Sequence, residues 1–375
     1  MAEQELSKER LIQREVDPKL YYDYEGRFIK QKLERERMQL LPRVVKPAMF
    51  SKLGWALGDP RVFERYSVAP LSALTCRFLE LGPGEHTERQ RLVPSQVAYI
   101  VEGGGGCVQD GESYSFSAED VVLIPPYTAT RWEAGPSGFK AWLPQVRLWH
   151  VLGLLWQEQL ELQDLPEGTE PIKDGSGKLA GYRVPAGVLG LERDLEVRLG
   201  ADKRRQEIFE ARRSVREAPP VKTEYDWFLK RLADENRLEA ESPRVIRASD
   251  RRWEDTRQGR LKFYIDRWTE VAAQALDVMA TEIEPQGHTG EHRHIFEEMA
   301  LVLQGRGHDT QENTQHQWEA GDIICVPPMT AHQHFNDGDE PVRLLSVWSR
   351  QLGHEFLGGI EHIKDASSWR ETDAQ

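Results

Sequence analysis

An internal repeat constrains the fold of this chain more than any other feature of its sequence. Residues 285–336 align without a gap on residues 83–134, at a constant offset of 202 positions, and 14 of the 52 aligned positions are identical. The period is far longer than the units of solenoid proteins, which span about 20 to 50 residues. The repeat therefore predicts two domains of the same fold, joined in one chain.

Short apolar runs separated by glycine, proline and acidic residues fill both copies. Strand-length runs at this spacing are typical of antiparallel sandwiches and barrels, so the predicted fold is dominated by β-structure. Cys76 and Cys325 fall in such runs and are expected to be core thiols. The clearest runs are Val97–Val101, Val121–Ile124, Leu276–Ile283, Met299–Leu303 and Ile323–Val326.

The predicted organisation has five parts, which are in chain order a helical N-terminal arm (1–66), the first barrel (67–160), a connector of mixed structure (161–255), the second barrel (256–352) and a C-terminal tail (353–375). Helix propensity in the arm is highest over 26–41. The connector is expected to contain a hairpin at 180–189 and a helix at 224–238. The buried stripe of that helix would consist of Trp227, Leu229, Leu232 and Leu238.

The composition limits the classes of partner. The net charge of −13 at pH 7 argues against nucleic acid as a general partner. Two arginine-rich stretches, Lys203–Arg205 and Arg251–Arg252, are interleaved with acidic residues, so both are interpreted as solvated faces. No apolar run approaches the ~20 residues of a membrane span, and the first residues lack a signal-peptide pattern. We therefore expect a cytoplasmic protein that binds a small molecule and forms a homo-oligomer.

Histidines are concentrated in the second copy of the repeat. Nine of the eleven lie between His288 and His362. Because residues two apart in a strand point to the same face, His292 and His294 would direct two imidazoles into one cavity. Glu298 follows at the start of the next strand, and His332 comes from a later one. Three nitrogens and one carboxylate oxygen suit Fe(II), Mn(II), Ni(II) or Zn(II).

The first copy lacks every one of these ligands. In the alignment, Gln90 stands opposite His292, Leu92 opposite His294, Gln96 opposite Glu298 and Thr130 opposite His332. Neither leucine nor an amide or hydroxyl side chain in those places reproduces the ligand set of the second copy. The sequence therefore predicts that only the second barrel binds a metal.

Two motifs in the second copy resemble those of the cupin superfamily. They read Gly287-x4-His292-x-His294-x3-Glu298-x6-Gly305 and Gly321-x5-Pro327-x-Met329-x2-His332-x3-Asn336. The first motif is one residue shorter than the strict pattern, and Met329 stands where the family usually has glycine. The resemblance implies two cupin barrels, each a double-stranded β-helix or jelly roll, and it leaves the arm and the connector unexplained.

Among bicupins, the chain is similar to gentisate 1,2-dioxygenase-type enzymes. That resemblance implies an Fe(II) dioxygenase that cleaves or oxidises an aromatic, phenolic or enolic small molecule. Two features depart from those enzymes, because Glu298 accompanies the three histidines and the intact site lies in the second barrel. Mn(II), Ni(II) and Zn(II) therefore stay open as the bound metal.

Three other interpretations of the ligand set remain open. One is a non-oxidative enzyme, such as an isomerase, decarboxylase, lyase or aminohydrolase, in which the metal acts as a Lewis acid. Another is a bicupin that binds a small molecule without catalysis. The last is a structural zinc site, although such sites usually close with four cysteine or histidine ligands.

Two further residues are predicted to take part in catalysis. His334 shares a strand face with His332, so it is expected to face the substrate, with a packed core histidine as the alternative. Tyr264 lies on the strand before the first motif, where Lys262, Tyr264 and Trp268 are expected to share the face that lines the cavity. A core aromatic stripe is the alternative for this second group.

Overall fold

The structure is a computed structural model, and it describes residues 41–47, 71, 73–92, 94–146, 157–159, 168–177, 179–187, 192–198, 217, 220–266, 269, 271, 276–349 and 359–370. The arm before the first barrel contributes strand β1, Val44–Val45. The first barrel follows, with strands Leu74–Leu81 (β2), Gln90–Leu92 (β3), Gln96–Gln109 (β4), Glu112–Ser117 (β5), Val121–Ile124 (β6), Thr130–Val146 (β7) and Gln157–Gln159 (β8).

The connector contains a small sheet and one long helix. The sheet has the order β11-β10-β9, formed by Glu170–Lys173 (β9), Leu179–Val184 (β10) and Leu195–Arg198 (β11). Helix α1, Glu224–Glu241, begins with a capping box in which Thr223 and Asp226 satisfy each other's backbone N–H groups. Strand β12, Val245–Ile246, and a short 3-10 helix, Ala248–Asp250, lead into the second barrel.

The second barrel is built from two sheets. Its strands are Glu254–Thr256 (β13), Gly259–Ile265 (β14), Leu276–Ile283 (β15), Glu291–His294 (β16), Glu298–Gln304 (β17), Arg306–Gln311 (β18), Thr314–Glu319 (β19), Ile323–Val326 (β20), His332–Asn336 (β21), Val342–Ser349 (β22) and Ile360–Lys364 (β23). One sheet has the order β1-β20-β17-β22-β15-β14-β13 and the other β19-β18-β21-β16-β23. The predicted β-dominated fold with two jelly-roll barrels is confirmed.

The two barrels share strand registers at the sequence offset of 202. Equivalent cross-strand pairs are Gln90–Thr130 and His292–His332, Gln96–Ile124 and Glu298–Val326, and the bridges His86–Glu133 and His288–Phe335. A register slip of one residue would turn every side chain to the opposite face. The pattern of inward and outward residues is therefore the same in both barrels.

The central strands are apolar on both faces because each face packs against a different core. In β4, Ala98 and Ile100 fill the interior of the first barrel, whereas Val97 and Tyr99 join a core between the two barrels. The second barrel repeats this arrangement, with Ala300 and Val302 inside and Met299 and Leu301 between the barrels. Burial on both faces explains why these strands read as continuous apolar runs.

Each barrel receives an edge strand from the segment that precedes the other barrel. Strand β1 pairs with β20 of the second barrel, and β12 pairs with β6 of the first. An ion pair follows each exchanged strand, from Lys46 to Asp322 and from Arg247 to Asp120, with N–O distances of 2.5 and 2.7 Å. The two barrels are therefore held together in the same way in both directions. We call each edge strand with its ion pair a clasp: β1 with Lys46–Asp322, and β12 with Arg247–Asp120.

Predictions for the connector and arm are partly confirmed. The expected helix is present, but its stripe was wrong: Trp227 is 58% exposed, and the buried positions are Ala233, Asn236 and Glu239. Leu229, Leu232 and Leu238 are half-buried, and the fully buried residues follow one another at intervals of three on a single face of the last turns. Most of the first half of the hairpin predicted at 180–189 is instead the middle strand of the small sheet, β10, and residues 188–189 lie outside the described ranges. The helix predicted at 26–41 lies outside the described residues apart from its last position.

Two general expectations concern the cysteines and the possibility of a membrane-spanning helix. All three cysteines lie in the described residues, where they are buried and form no disulfide, in agreement with the prediction of core thiols for Cys76 and Cys325. Within the ranges that the structure describes, no helix has the length and hydropathy that a membrane span requires.

Candidate metal centre

Four side chains converge at one end of the second barrel. His292 and His294 come from β16, Glu298 begins β17, and His332 begins β21, directly opposite His292 in the antiparallel register. Their ligand atoms all lie within 4.8 Å of one another. The structure therefore brings together all four residues that the sequence predicted as metal ligands.

Backbone carbonyls fix the orientation of the three imidazoles. The Nδ1 atoms of His294 and His332 lie 2.7 and 3.0 Å from the carbonyl oxygens of Phe296 and Thr330, and Nδ1 of His292 lies 3.4 Å from that of Gly290. With Nδ1–H donating to a carbonyl, the lone pair is on Nε2. Metal-binding histidines usually have such a partner on the second nitrogen.

The electrostatics of the cluster favour an ionised Glu298 beside a neutral His292. Burial acts to raise the pKa of Glu298, but its hydrogen bond to His294 and its interaction with the nearby His332 outweigh burial, so this pKa lies well below its usual range. The pKa of His292 is lowered well below its ordinary value by burial and by the neighbouring His332. Carboxylate and neutral imidazole are the protonation states that metal coordination requires.

One atom of the cluster has no hydrogen-bond partner in the structure. The Nε2 of His332 is fully buried and unsatisfied, at 3.7 Å from Oε2 of Glu298. A buried polar atom without a partner is costly and usually marks a ligand or ion that completes its environment. The donor set of three imidazoles and one carboxylate also suits a divalent transition ion. These residues therefore fit a mononuclear metal.

A cavity of about 890 Å³ opens beside the four ligands. Phe296 stacks on His294 with ring centroids 4.1 Å apart, and Trp348 stacks on Phe296 at 5.8 Å. These two rings hold the imidazole of His294 in place and also form part of the cavity wall. The apolar lining consists of Leu261, Phe263, Met279, Phe296, Trp348 and Ile360.

His334 lies where the sequence predicted it. It lines the cavity, it is only 4% exposed, and its Nδ1 has no hydrogen-bond partner. Burial, together with the neighbouring His332, lowers the pKa of His334 to about 4. Its imidazole is therefore neutral at neutral pH, and it has an unsatisfied buried nitrogen in the wall of the cavity.

Tyr264 does not line the cavity, so its expected place in the site was wrong. It is 1% exposed and packs edge-on against Tyr99 in the core between the barrels, with ring centroids 5.9 Å apart. Strand β14 presents Leu261 and Phe263 to the cavity instead, and Lys262 points with Tyr264 to the other face. The face was misassigned by one residue because β14 is buried on both faces, and the cavity takes the apolar face and not the one with Lys262 and Tyr264. Trp268 lies outside the described residues.

Sequence reasoning missed the parts of the cavity that come from outside the barrel. Arg251, interpreted as part of a solvated face, lines the cavity, and Ile360 reaches it from β23 in the C-terminal tail. Strand β23 pairs with β16, directly beside the metal ligands. Contacts between segments so distant in the chain leave no periodic signal in either segment.

The equivalent place in the first barrel is nearly filled. Only about 10 Å³ remains between Gln90, Leu92, Gln96 and Thr130, the counterparts of the four ligands. Arg77, which corresponds to Met279, enters this space, and its Nη2 lies 3.5 Å from Oε1 of Gln96. A guanidinium thus lies where the second barrel keeps room for a ligand.

Comparisons with known proteins agree with this architecture. Residues 279–348 match the cupin domain family. A protein of Methanocaldococcus jannaschii, described as uncharacterized, is 35% identical over 79 residues, which are 20% of this chain and 63% of that protein. The match therefore spans less than two thirds of that relative's length.

Solved structures similar to this chain include oxalate decarboxylase from Bacillus subtilis. The structure at pH 4.6 has a TM-score of 0.46 and is 15% identical in sequence. The match covers 76% of this chain and 70% of the decarboxylase chain. A single-residue variant of the same enzyme has a TM-score of 0.48 and 16% identity, with coverage of 76% and 71%.

The chain therefore contains two barrels with the same strand registers, and the second of them matches the cupin domain family. Its second barrel contains a group of three histidines and one glutamate that could hold a metal ion.

Proposed function

We propose that this protein is a mononuclear metal-dependent enzyme that carries out non-oxidative chemistry on a small organic molecule. The observation that carries the proposal is the convergence of four ligand atoms, including Glu298, within 4.8 Å at the end of an 890 Å³ cavity. When bound, the metal would act as a Lewis acid that polarises a carbonyl or stabilises an enolate.

The position of Glu298 favours non-oxidative chemistry over oxygenation. Its carboxylate is 5% exposed, and Oε2 lies 3.1 Å from Nε2 of His294. The backbone of Glu298 is paired on both sides, with Val326 and Trp348. Four protein ligands on an octahedral ion would leave two positions, which suffice for one chelating substrate. Substrate and dioxygen together would require a third.

His334 is proposed to orient the substrate. His334 lines the cavity and its buried Nδ1 has no hydrogen-bond partner in the described structure, and its pKa of about 4 makes it a neutral hydrogen-bonding group rather than a strong base. We expect His334→Phe to lower kcat/KM by about tenfold or more, because the phenyl ring keeps the shape of the imidazole while one buried hydrogen bond to the substrate is lost. Bound metal should be unchanged in this variant, and a parallel loss of metal would contradict the role.

A dioxygenase is the second candidate, and the aromatic wall of the cavity favours it. Phe263, Phe296 and Trp348 would suit a planar phenolic or enolic substrate. Fe(II) would be the metal in that case, whereas the first candidate is compatible with Mn(II), Ni(II), Zn(II) or Fe(II).

One experiment separates the two candidates. The protein is loaded with each metal and screened against keto acids, hydroxy acids, diketones and phenols, with and without oxygen. Turnover under strict anaerobiosis is the expected result. Turnover only with Fe(II) and with stoichiometric oxygen consumption would establish the dioxygenase instead. Absence of turnover with every metal would favour a non-catalytic binding protein.

A further inference from the structure

We infer that the substrate of the second barrel is an organic acid with an apolar body, and that Arg251 binds its carboxylate. The inference rests on the proposed function and specifies the substrate class of that same site. It depends on the cavity lining rather than on the metal ligands.

Arg251 is the cavity's cation without a carboxylate partner. It follows the short 3-10 helix at Ala248–Asp250 and lines the cavity, and its Nε is buried without a hydrogen-bond partner. In the described part of the chain, no acidic side chain forms an ion pair with it. A buried donor that lacks an acceptor is costly, so a ligand that supplies one is favoured. The planar guanidinium matches a carboxylate in geometry.

The adjacent arginine provides the contrast. The Nε of Arg252 lies 2.8 Å from Oε1 of Glu254, and the Arg252 side chain is 87% exposed. Its charge is therefore compensated and directed to solvent. Both arginines line the cavity, but Glu254 compensates the charge of Arg252, whereas Arg251 has no carboxylate partner among the described residues.

The acidic residues that line the cavity already interact with hydrogen-bond donors or cationic groups of the protein. Oδ1 of Asp266 accepts a hydrogen bond from the Thr269 backbone at 2.7 Å, and Oδ1 of Asp250 accepts one from Oγ of Ser249 at 3.2 Å. Glu254 is bonded to Arg252, and Glu298 belongs to the metal cluster. Arg251 is the charged group that remains for an anionic ligand.

The other residues that line the cavity indicate the chemical character of the rest of the ligand. Six apolar side chains, three of them aromatic, cover much of the wall, and the volume of about 890 Å³ lies within the range of pockets that enclose molecules of drug-like size. A two-carbon acid would leave most of this apolar surface in contact with water. An aryl or branched-alkyl group attached to the acid would bury it, which is favourable at about 25 cal/mol per Å².

The test compares acids with their neutral amides. Binding of 3-phenylpropanoate and 4-methylpentanoate, and of the primary amide of each, is measured by NMR and calorimetry on the full chain. Protein treated with EDTA is used first, so that the carboxylate has no metal to bind, and Mn(II) is then added. The variants are Arg251→Gln, Arg251→Lys and the matched control Arg252→Gln, each checked for an unchanged melting temperature.

We expect wild-type protein without metal to bind the acids more tightly than the amides. Arg251→Gln should weaken acid binding by about tenfold or more and leave amide binding unchanged, since a charge-assisted hydrogen bond is lost. Arg251→Lys should keep part of the preference, and Arg252→Gln should stay within about twofold of wild type because its surface ion pair contributes little. No preference for acids in either pair, or equal losses in the two glutamine variants, would overturn the inference.

A separate Mn(II) titration distinguishes this inference from the proposed function. If Mn(II) fails to bind while acid binding still depends on Arg251, the metal-dependent enzyme is wrong and the ligand class stands. If Mn(II) binds and Arg251→Gln changes nothing, the proposed function stands and the ligand class is wrong.

Discussion

The two barrels keep the same residues where the fold needs them and different residues where a metal would bind. Thr87 and Thr289 each accept a hydrogen bond from the backbone of the strand opposite, at 2.9 and 3.0 Å. Gln109 and Gln311 each donate to a backbone carbonyl two strands further along the chain, both at 3.0 Å. These identities therefore specify the barrel and carry no information about chemistry.

Two glycine pairs belong to the same structural set. Gly103 and Gly305 have φ angles of +76° and +87°, a region that side chains other than glycine rarely adopt. At Gly105 and Gly307, an added Cβ would lie 2.3 and 1.9 Å from a backbone oxygen of the opposite strand. Both barrels require glycine at these turns and close approaches.

The difference that concerns metal binding lies at the open ends of the barrels. The first barrel is closed by Arg77 and by smaller or amide side chains, and the second remains open beside three histidines and a glutamate. A duplicated fold can thus lose a metal site without losing stability, because the ligands are not the residues that hold the strands together.

The largest effect is expected from removal of a ligand. His332→Ala should reduce Mn(II) or Zn(II) affinity by more than about 100-fold, because even changes to residues that only support a ligand cost 10- to 100-fold. Thr130→Ala, the equivalent change in the first barrel, should have no effect. Calorimetric titration measures both. Equal losses in the two variants would contradict the difference between the barrels.

A buried acid distinguishes the barrel interiors. Burial raises the pKa of Asp309 to about 6 from its ordinary 3.8, and the first barrel has Cys107 at this position. Between pH 4 and 6 the unfolded chain releases this proton and the folded chain keeps it, so stability falls as the pH rises. The loss reaches about 3 kcal/mol above pH 6.

Asp309→Asn should remove this pH dependence. In protein without metal, its stability advantage over wild type should grow from pH 4 to pH 7, as followed by urea denaturation. Cys107→Ser serves as the control in the first barrel and should show a constant difference over the same range. A constant difference for Asp309→Asn as well would show that the carboxyl is ionised throughout.

The two clasps should contribute similar stability. Asp120 accepts hydrogen bonds from the backbone of Ser117 and Ala248 as well as from Arg247, and Asp322 accepts from Glu319 and Lys46. Asp120→Ala and Asp322→Ala should each lower the free energy of unfolding by about 2 kcal/mol, mainly because backbone N–H groups lose their acceptor. Denaturant unfolding measures both, and a large effect in one alone would refute their equivalence.

The smallest effect is expected at Met329. Met329 and its counterpart Tyr127 have φ angles of +62° and +57°, and Met329 is 53% exposed whereas Tyr127 is buried. Met329→Gly should therefore raise stability by about 1 kcal/mol by removing strain. Tyr127→Gly should lower stability because it loses buried contacts. A loss of stability in Met329→Gly would show that its side chain is needed.

Much of this molecule could be predicted from its sequence because the repeat and the ligand spacing can be recognised without knowledge of tertiary contacts. The offset of 202 predicted two barrels, and the spacing of His292, His294 and Glu298 predicted the cluster. Tyr264 was misplaced because β14 is buried on both faces, so that the alternation of residues does not reveal which face lines the cavity. Arg251 was missed because its place in the cavity depends on packing between the connector and the second barrel.

Elemental analysis of the protein purified without added metal tests the central claim most directly. The expected result is one divalent transition ion per chain, retained in Thr130→Ala and lost in His294→Ala. Protein that contains no such ion, or one that retains it after His294, Glu298 and His332 have all been replaced, would contradict the account.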